Sequence, residues 1–320
     1  MNKTRRLITI AALCLAASGG AIAQSKPVRI IVSFTPGGPV DTVARILADQ
    51  LGKEIGRTVI VENKPGANGA IGANEVLRSR PDGDTLWITS VGAAAINASL
   101  YERLSYDMQR DFAPVSLVVN NEEVLVINPN DQAKDAAEFV KAAKARKEPT
   151  PMASSGIGSI PHLAIEQLAD ATSADFLHVP YKGAAPALTD VMGGQVAGFF
   201  GDIPGLIAHV RGGRLKAVGI ASSKRHPALP DVKTLEEQGI KGVDTNNWYG
   251  LFAPAKTPPA TIEALNKATH RALMNPGVRE RLQGLGTDSA PSTPQELAAM
   301  LKTDTEKWAR LIRAKNIKAE

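Results

Sequence analysis

The chain has one cysteine in 320 residues, Cys14, and it lies inside an apolar run near the N-terminus. A lipid-anchor reading would want a small residue directly before it, where Leu13 stands. With a single cysteine there is no intrachain disulfide, and beyond residue 14 there is no thiol nucleophile and no cysteine metal ligand. Aromatic residues are also scarce, at 4%. A nucleic-acid surface wants clustered cations and stacking rings, whereas the charges here are interleaved by sign, as between Lys134 and Lys147. The five histidines, at 162, 178, 209, 226 and 270, are dispersed and are read as unpaired with carboxylates at metal-ligand spacing. No Gly-x-Ser-x-Gly elbow, P-loop or His-Glu-x-x-His motif occurs. No apolar run reaches the ~20 residues of a membrane-spanning helix. A soluble chain is expected, without metal, cofactor or nucleic-acid partner.

What is present begins at the N-terminus. Lys3, Arg5 and Arg6 precede an apolar run from Leu7 to Ala17, and the small-x-small triplet Ala21-Ile22-Ala23 stands before Gln24. That order predicts a secretory signal peptide over residues 1–23, cleaved after Ala23. The formal charge of +5 falls to +2 once those three cations leave. About 297 residues then remain, which suggests two domains rather than one. An exported chain without a disulfide must rely on a large core.

Short β-branched runs alternate with segments of helical period. "VRIIVSF" (28–34) precedes "VDTVARILADQLGKEIG" (40–56), in which Val40, Val43, Ala44, Leu47 and Leu51 line one face. "TVIVEN" (58–63) and "DTLWITS" (84–90) read as further strands, and "EEVLVINP", "PTPMASS", "FLHVPY", "VAGFFGD" and "LKAVGIAS" continue the pattern from residue 122 to 222. The alternation predicts an α/β fold with parallel sheets covered by helices on both faces. After "WYGLFAP" (248–254) the pattern turns helical over 260–274, 277–284 and 294–315, with prolines between. No low-complexity linker separates the halves, so the lobe crossings are expected in extended segments near 120–124 and 242–247. Lobe 1 then comprises residues 24–122 and 246–320, and lobe 2 residues 123–245.

In open parallel sheets, ligands sit beyond the carboxyl ends of the strands, where loops lead into helix N-termini. "SFTPGGPVDTVAR" (33–45) places Pro36, Gly37 and Gly38 before a helix whose free amides attract an anion, although a plain turn with Asp41 near the N-cap reads equally from these residues. "ENKPGANGAIGANEV" (62–76) has the same build, and "TSVGAAAINAS" (89–99) adds the small polar residues Thr89, Ser90 and Gly92. "MASSGIGSIPHLAIEQLA" (152–169) is the richest loop: Ser154, Ser155, Gly156, Gly158 and Ser159 offer hydroxyls and amides at one helix start, with Pro161 in its first turn. His162, a few residues on, would be the base if Ser155 or Ser159 were a nucleophile, but no orienting third group is evident. "VPYKGAAPALTDVMGG" (179–194) adds Tyr181, Gly183 and the cation Lys182 directly before a helix. In "FFGDIPGL" (199–206), Asp202 reads either as a ligand for an amine or water or as a helix cap.

"PGGPVDTVAR", "VENKPGANGAIGANEV", "AINASLYERLSYDMQRDFAPVSLV", "SSGIGSIPHLAIEQL", "HVPYKGAAPALTDVMGGQV" and "NWYGLFAPAKTP", in this order, closely resemble the Bug family, the extracytoplasmic solute receptors of tripartite tricarboxylate transporters. The resemblance runs over essentially the whole chain beyond the signal. It implies a two-lobed periplasmic-binding-protein fold of the type II, Venus flytrap kind, each lobe a mainly parallel sheet flanked by helices. It further implies a non-enzymatic periplasmic receptor, expected as a monomer, that closes on a small mono- or dicarboxylate and hands it to membrane permease subunits. Carried over position by position, the ligand-binding candidates are Phe34, Pro36, Gly37, Gly38 and Asp41 from lobe 1, with Ser90 from the loop reading. Lobe 2 would contribute Ser154, Ser155, Gly156, Gly158, Ser159, His162, Tyr181, Lys182, Gly183 and Asp202. Pro39-Val40 and Gly201-Asp202-Ile203 depart from the family's usual choices and leave the ligand's identity open. The competing readings are a carboxylate-sensing module for a membrane histidine kinase and a secreted serine hydrolase.

Overall fold

The computed structural model describes residues 26–319, so the expected signal peptide and its cleavage point lie outside the described residues. The first part of the chain forms β1 (Val28–Val32), α1 (Pro39–Ile55), β2 (Val59–Asn63), α2 (Ala70–Leu77), β3 (Thr85–Ser90), short helices α3 (Asn97–Leu100) and α4 (Met108–Asp111), and β4 (Phe112–Asn120). A second group follows: β5 (Glu123–Ile127), α5 (Ala136–Ala145), β6 (Thr150–Ser154), α6 (Ile160–Thr172), β7 (Phe176–Pro180), α7 (Ala184–Met192), β8 (Gly198–Asp202), α8 (Ile203–Arg211) and β9 (Lys216–Ile220). The chain then adds β10 (Tyr249–Pro254), α9 (Pro259–Met274), α10 (Pro276–Gly284), β11 (Asp288–Ser289) and α11 (Pro294–Ala314).

These strands make two sheets, in the orders β11-β4-β10-β3-β1-β2 and β7-β6-β8-β5-β9. In the first, β1 pairs in parallel with β2 and β3, while β10 runs antiparallel between β3 and β4. In the second, β6 pairs in parallel with β7 and β8, and β5 runs antiparallel between β8 and β9. Each sheet is therefore mixed, yet four of its strands point one way: the opposed β10 and β5 are each the first strand to enter after a crossing from the other sheet, and the two-residue β11 runs against β4 at the first sheet's edge. The outward crossing is Asn121-Glu122, and the return ends at Trp248. The two crossings run beside each other: Glu122 bridges Asn246, the Asn247 N–H donates to the Asn121 carbonyl (2.9 Å), and Asn121 Nδ2 donates to the Asn247 carbonyl (3.0 Å).

Helices cover both faces of each sheet because the central strands are apolar on both sides. β1 reads Val-Arg-Ile-Ile-Val and buries every residue but Arg29 completely or nearly so. One face meets α1, α9 and α10 through Val43, Leu47, Leu51, Leu265, Ala272 and Leu282. Truncating a fully buried contact there, Leu47→Ala for instance, costs about 2–5 kcal/mol. The other face meets α2 and α11 around Trp87, whose ring packs on Phe112 at 4.7 Å and on Tyr106 at 5.8 Å. α11 starts at a capping box in which Thr293 and Glu296 satisfy each other's backbone N–H groups.

β4 carries Pro114 inside a buried strand, where a proline would normally remove a ladder hydrogen bond. The register against β10 shifts at that point, Leu251 facing Ser116 and Phe252 facing Pro114, so the proline occupies a bulge.

Candidate functional site

Since β1, β2 and β3 point one way in the first sheet, and β6, β7 and β8 one way in the second, their carboxyl ends each open into a helical start. The two groups of turns meet at the seam between the sheets. There a Cβ on Gly158, before α6, would overlap Leu100 of α3, and one on Gly205 in α8 would lie 3.3 Å from Pro39 of α1. α6 itself reaches across, its Ile160 and Leu163 joining the core around Trp87.

Four of these starts lack any side-chain cap: α1 after Gly38, α2 after Gly69, α7 after Gly183 and α8 after Asp202. First-turn amides without an acceptor remain donors that the helix dipole makes attractive to an anion, although the Ala70 N–H of α2 is spent on the Ala67 carbonyl, and in α8 the Ile203 N–H is spent on the Glu122 carbonyl and Pro204 has none. In α1 these are the N–H groups of Val40 and Asp41, since Pro39 has none.

On the first sheet's side, Phe34 is half-buried, Pro36 and Gly37 are exposed, and Gly38 is half-buried. Gly37 takes φ +79° with nothing near a would-be Cβ, so its glycine answers a backbone need and no close approach. Asp41 is only 2% exposed and is fully occupied: it accepts from the Gly37 N–H (2.8 Å), Asn63 Nδ2 (2.8 Å) and Arg45 Nε (2.9 Å). Burial pushes its pKa up, but the donors led by Arg45 outweigh that and hold it below the usual carboxylate range. Asp41 is thus a brace for the Pro36-Gly37-Gly38 turn. Ser90 is buried, and a Cβ on Gly92 would lie 3.5 Å from its Oγ and 3.4 Å from Asn68 Oδ1.

The second sheet's serine loop is more self-contained than its sequence suggests. Ser154 is completely buried; its Oγ lies 2.6 Å from His178 Nε2, accepts from the Gly156 N–H (3.1 Å) and donates to the Gly156 carbonyl (3.1 Å). Ser159 caps α6 through His162 N–H and donates to the Gly156 carbonyl (2.7 Å). The Gly158 N–H donates to His162 Nδ1 (3.0 Å). What this loop leaves open, among the described residues, is the Ser155 hydroxyl and the amides of Ser155 and Ile157.

The hydrolase arrangement does not form. His162 spends Nδ1 on Gly158 and turns Nε2 toward Glu166 Oε1 at 3.7 Å, away from any serine hydroxyl. This corrects the expectation that no histidine meets a carboxylate: Glu166 follows His162 by one helical turn. His178, stacked on His162 with centroids 3.6 Å apart, has its pKa lowered to about 4 by burial and by His162. It does touch Ser154, but that hydroxyl is sealed from solvent.

Tyr181 donates its hydroxyl to Asp190 Oδ2 (2.5 Å), a bond that pushes the phenol up to about 12. Lys182 is exposed and, among the described residues, makes no ion pair; Gly183, at φ +108°, opens α7.

Asp202 ends β8 beside the crossing and faces inward. Both its oxygens accept from Asn247 Nδ2 (2.9 and 3.1 Å), and Oδ2 also accepts from the Tyr249 hydroxyl (2.5 Å). Opposite it on β5 stands Glu123, completely buried, with neither carboxylate oxygen hydrogen-bonded. Burial, then the neighbouring Asp202, raises the Glu123 pKa well above normal, and burial lifts Asp202 to about 6 against its donors.

Sequence reasoning left three contributors out of the candidate set. Ala67 and Asn68 take left-handed φ of 46° and 44°, and Asn68 Nδ2 donates to Asn97 Oδ1 (2.8 Å); the Asn-Gly pair at 68–69 was the available signal. Trp87 Nε1 donates to Ser33 Oγ (2.6 Å), which donates to the Gly69 carbonyl (3.1 Å) and ties the first two turns together. Nothing local in the sequence announces Glu123.

Among the described residues no helix is long and apolar enough to cross a membrane, and no three His, Cys, Asp or Glu side chains are grouped for a metal. The profile of the family described as tripartite tricarboxylate transporter family receptor, TctC, matches residues 43–317. Protein BugT of Bordetella pertussis is 33% identical over 320 residues, covering 98% of each chain. Three solved structures share the fold closely. Periplasmic binding protein BugD superposes with a TM-score of 0.84 at 33% identity, over 92% of this chain and 99% of its own. MatC of Rhodopseudomonas palustris with bound malate gives 0.82 at 33%, over 90% and 99%. A second R. palustris protein, with adipate, gives 0.87 at 27%, over 92% and 99%. With a profile match over most of its length and such relatives along nearly all of it, this chain belongs to the tripartite tricarboxylate transporter receptor family of solute-binding proteins, and it is not an enzyme.

Proposed function

We propose that the protein is a periplasmic receptor that closes on a small organic mono- or dicarboxylate at the seam between its sheets and delivers it to the membrane subunits of a tripartite carrier. The observation that carries this reading is the set of uncapped helix starts facing the seam from both sheets, with the exposed Lys182 directly before one of them. Neutral N–H and O–H donors can hold a carboxylate without an arginine, each contributing ~1.5–3 kcal/mol to an ionised acceptor. Malate and adipate in the two relatives belong to that chemical class.

On this reading the lobes are residues 24–122 with 246–320, and 123–245. The ligand contacts are the amides around Gly38 and Gly183, Ser90, the Ser155 hydroxyl and amide, the Ile157 amide and Lys182. Phe34, Pro36, Gly37, Gly156, Gly158 and Tyr181 shape the turns, whereas Asp41, Ser154, Ser159, His162 and Asp202 brace them from beneath. The test is a thermal-shift screen of protein refolded free of carried-over ligand, against aliphatic, aromatic and amino-acid carboxylates. A ligand at 100 times its Kd adds ~2.7 kcal/mol, which a melting curve resolves easily. A flat response to the whole panel would overturn the carboxylate assignment.

A further inference from the structure

The serine loop is connected to the last helix of the other sheet by a chain of side chains that no ligand contact explains. Lys315, just past α11, forms an ion pair with Asp170 and lies 3.6 Å from Glu166 Oε2, both on α6. The other Glu166 oxygen faces His162 Nε2 at 3.7 Å. That distance is longer than a hydrogen bond, so the contact acts electrostatically, orienting a ring N–H dipole in a site where His162 is 5% exposed. His162, first among its partners, holds the Glu166 carboxyl below its ordinary pKa.

The ring's other nitrogen settles the tautomer. Nδ1 accepts from the Gly158 N–H at 3.0 Å and so carries no proton; in the neutral ring the proton is on Nε2, facing Glu166. In the alternative tautomer Nδ1–H would confront Gly158 N–H, donor against donor, and Nε2 would turn a lone pair toward a carboxylate. His178 stacks on this ring at an interplanar angle of 7° and meets Ser154, which in turn holds the Gly156 amide. Gly156 and Gly158, the two positive-φ residues that give the loop its shape, are thus both held through the histidine pair.

We propose that Glu166 is a positioning residue for ligand binding: held across the seam by Lys315, its carboxylate fixes His162 as the Nε2–H tautomer and thereby fixes the Gly156–Gly158 turn that presents Ser155 and Ile157. The proposal rests on the carboxylate-receptor reading above for its effect on affinity, but its effect on the ring is independent of any ligand.

Three variants separate the parts. Glu166→Ala removes the acceptor, Glu166→Gln keeps an oxygen for Nε2–H while losing the charge, and Lys315→Met removes only the cross-seam partner. Two readouts are taken on each: the histidine ring nitrogens and the Gly158 amide by 15N NMR without ligand, and affinity for malate and adipate by calorimetry. Wild type should show His162 with Nε2 protonated. In Glu166→Ala that signature should be lost or mixed, the Gly158 amide should move, and affinity should fall about fivefold to tenfold, the worth of one hydrogen bond's placement. Glu166→Gln, which keeps an oxygen dipole beside Nε2–H but not the charge, should restore only part of both. An unmoved His162 signature and Gly158 amide in Glu166→Ala would overturn the proposal, as would wild-type affinity in that variant. Wild-type protein that binds neither malate nor adipate, with the His162 signature still moving in Glu166→Ala, would count against those two as ligands while upholding the positioning of the loop.

Discussion

Glu123→Gln should stabilise the protein at neutral and alkaline pH and do little in mild acid. Glu123 is sealed beside the crossing with both oxygens unpaired, and the neighbouring Asp202 carries the same sign. Tyr249 and Asn247 donate to Asp202, so Asp202 is the better home for the negative charge and Glu123 for the proton. The neighbouring phenol of Tyr249 is raised well above its ordinary pKa by burial and by both carboxyls, so it donates and does not ionise here. The folded-state pKa of Glu123 lies above its unfolded value of 4.5. Its contribution is therefore complete below that value and is lost as pH rises through the folded value, while the unfolded chain gives up the proton early. One proton bound by the folded form alone sets a slope of up to ~1.4 kcal/mol per pH unit. As pH rises above 5, wild type should lose up to ~1.4 kcal/mol per unit that Glu123→Gln does not lose, about 2–3 °C in Tm per unit for a chain of this size. Melting curves of both proteins at pH 5, 6, 7 and 8 measure it. A gap between them that is constant across that range would refute the assignment of a proton to Glu123 in the folded protein.

The remaining substitutions address the seam. Gly158→Ala should unsettle both fold and binding, because the residue holds φ +72° and the new methyl would overlap Leu100; Gly37→Ala, at φ +79° with open space around it, should cost only the ~1–2 kcal/mol of left-handed backbone and leave a cooperative melt. Comparing the two by circular-dichroism melting checks the geometry, and equal losses would sink it. Ser155→Ala should weaken carboxylate affinity about tenfold or more with Tm unchanged, since its hydroxyl is unspent, whereas Ser154→Ala should lower Tm, since its hydroxyl anchors His178 and Gly156. The opposite pattern in calorimetry and melting would mean that the ligand-facing serine has been misassigned.

Much of the fold is legible in the sequence because its signals are local and periodic. The run Val28–Val32 announces a strand buried on both faces, and Val40, Val43, Leu47 and Leu51 announce the helix that covers it. β4 is harder to see because Pro114 argues against a central strand, and only its bulge opposite Phe252 reconciles the two. At the site, glycine-rich turns mark where ligand-ready loops lie but not which donors are free. Ser154, Ser155 and Ser159 look alike as letters, and partners such as His178, 24 residues from Ser154, decide which hydroxyl is spent on the loop itself. The sequence reading likewise gave Asp41 and Asp202 to the ligand, whereas Asn63, Arg45, Asn247 and Tyr249 already occupy them. Such occupation depends on contacts across sheets and crossings, which periodicity does not encode.

All three tryptophans, Trp87 in β3, Trp248 at the end of the return crossing and Trp308 in α11, belong to one core, and the second sheet's core has none. Intrinsic fluorescence is therefore a one-sided lamp. It should report melting of the first sheet and remain dark to local unfolding of the second, so that fluorescence and circular dichroism traces of one melt can be subtracted to reveal the second sheet alone. Trp248, whose indole N–H donates to Asp304 at 2.6 Å, ends the return crossing between the sheets. If the receptor proposed above closes on its ligand, this emission is a dye-free gauge of that movement, read at the joint itself.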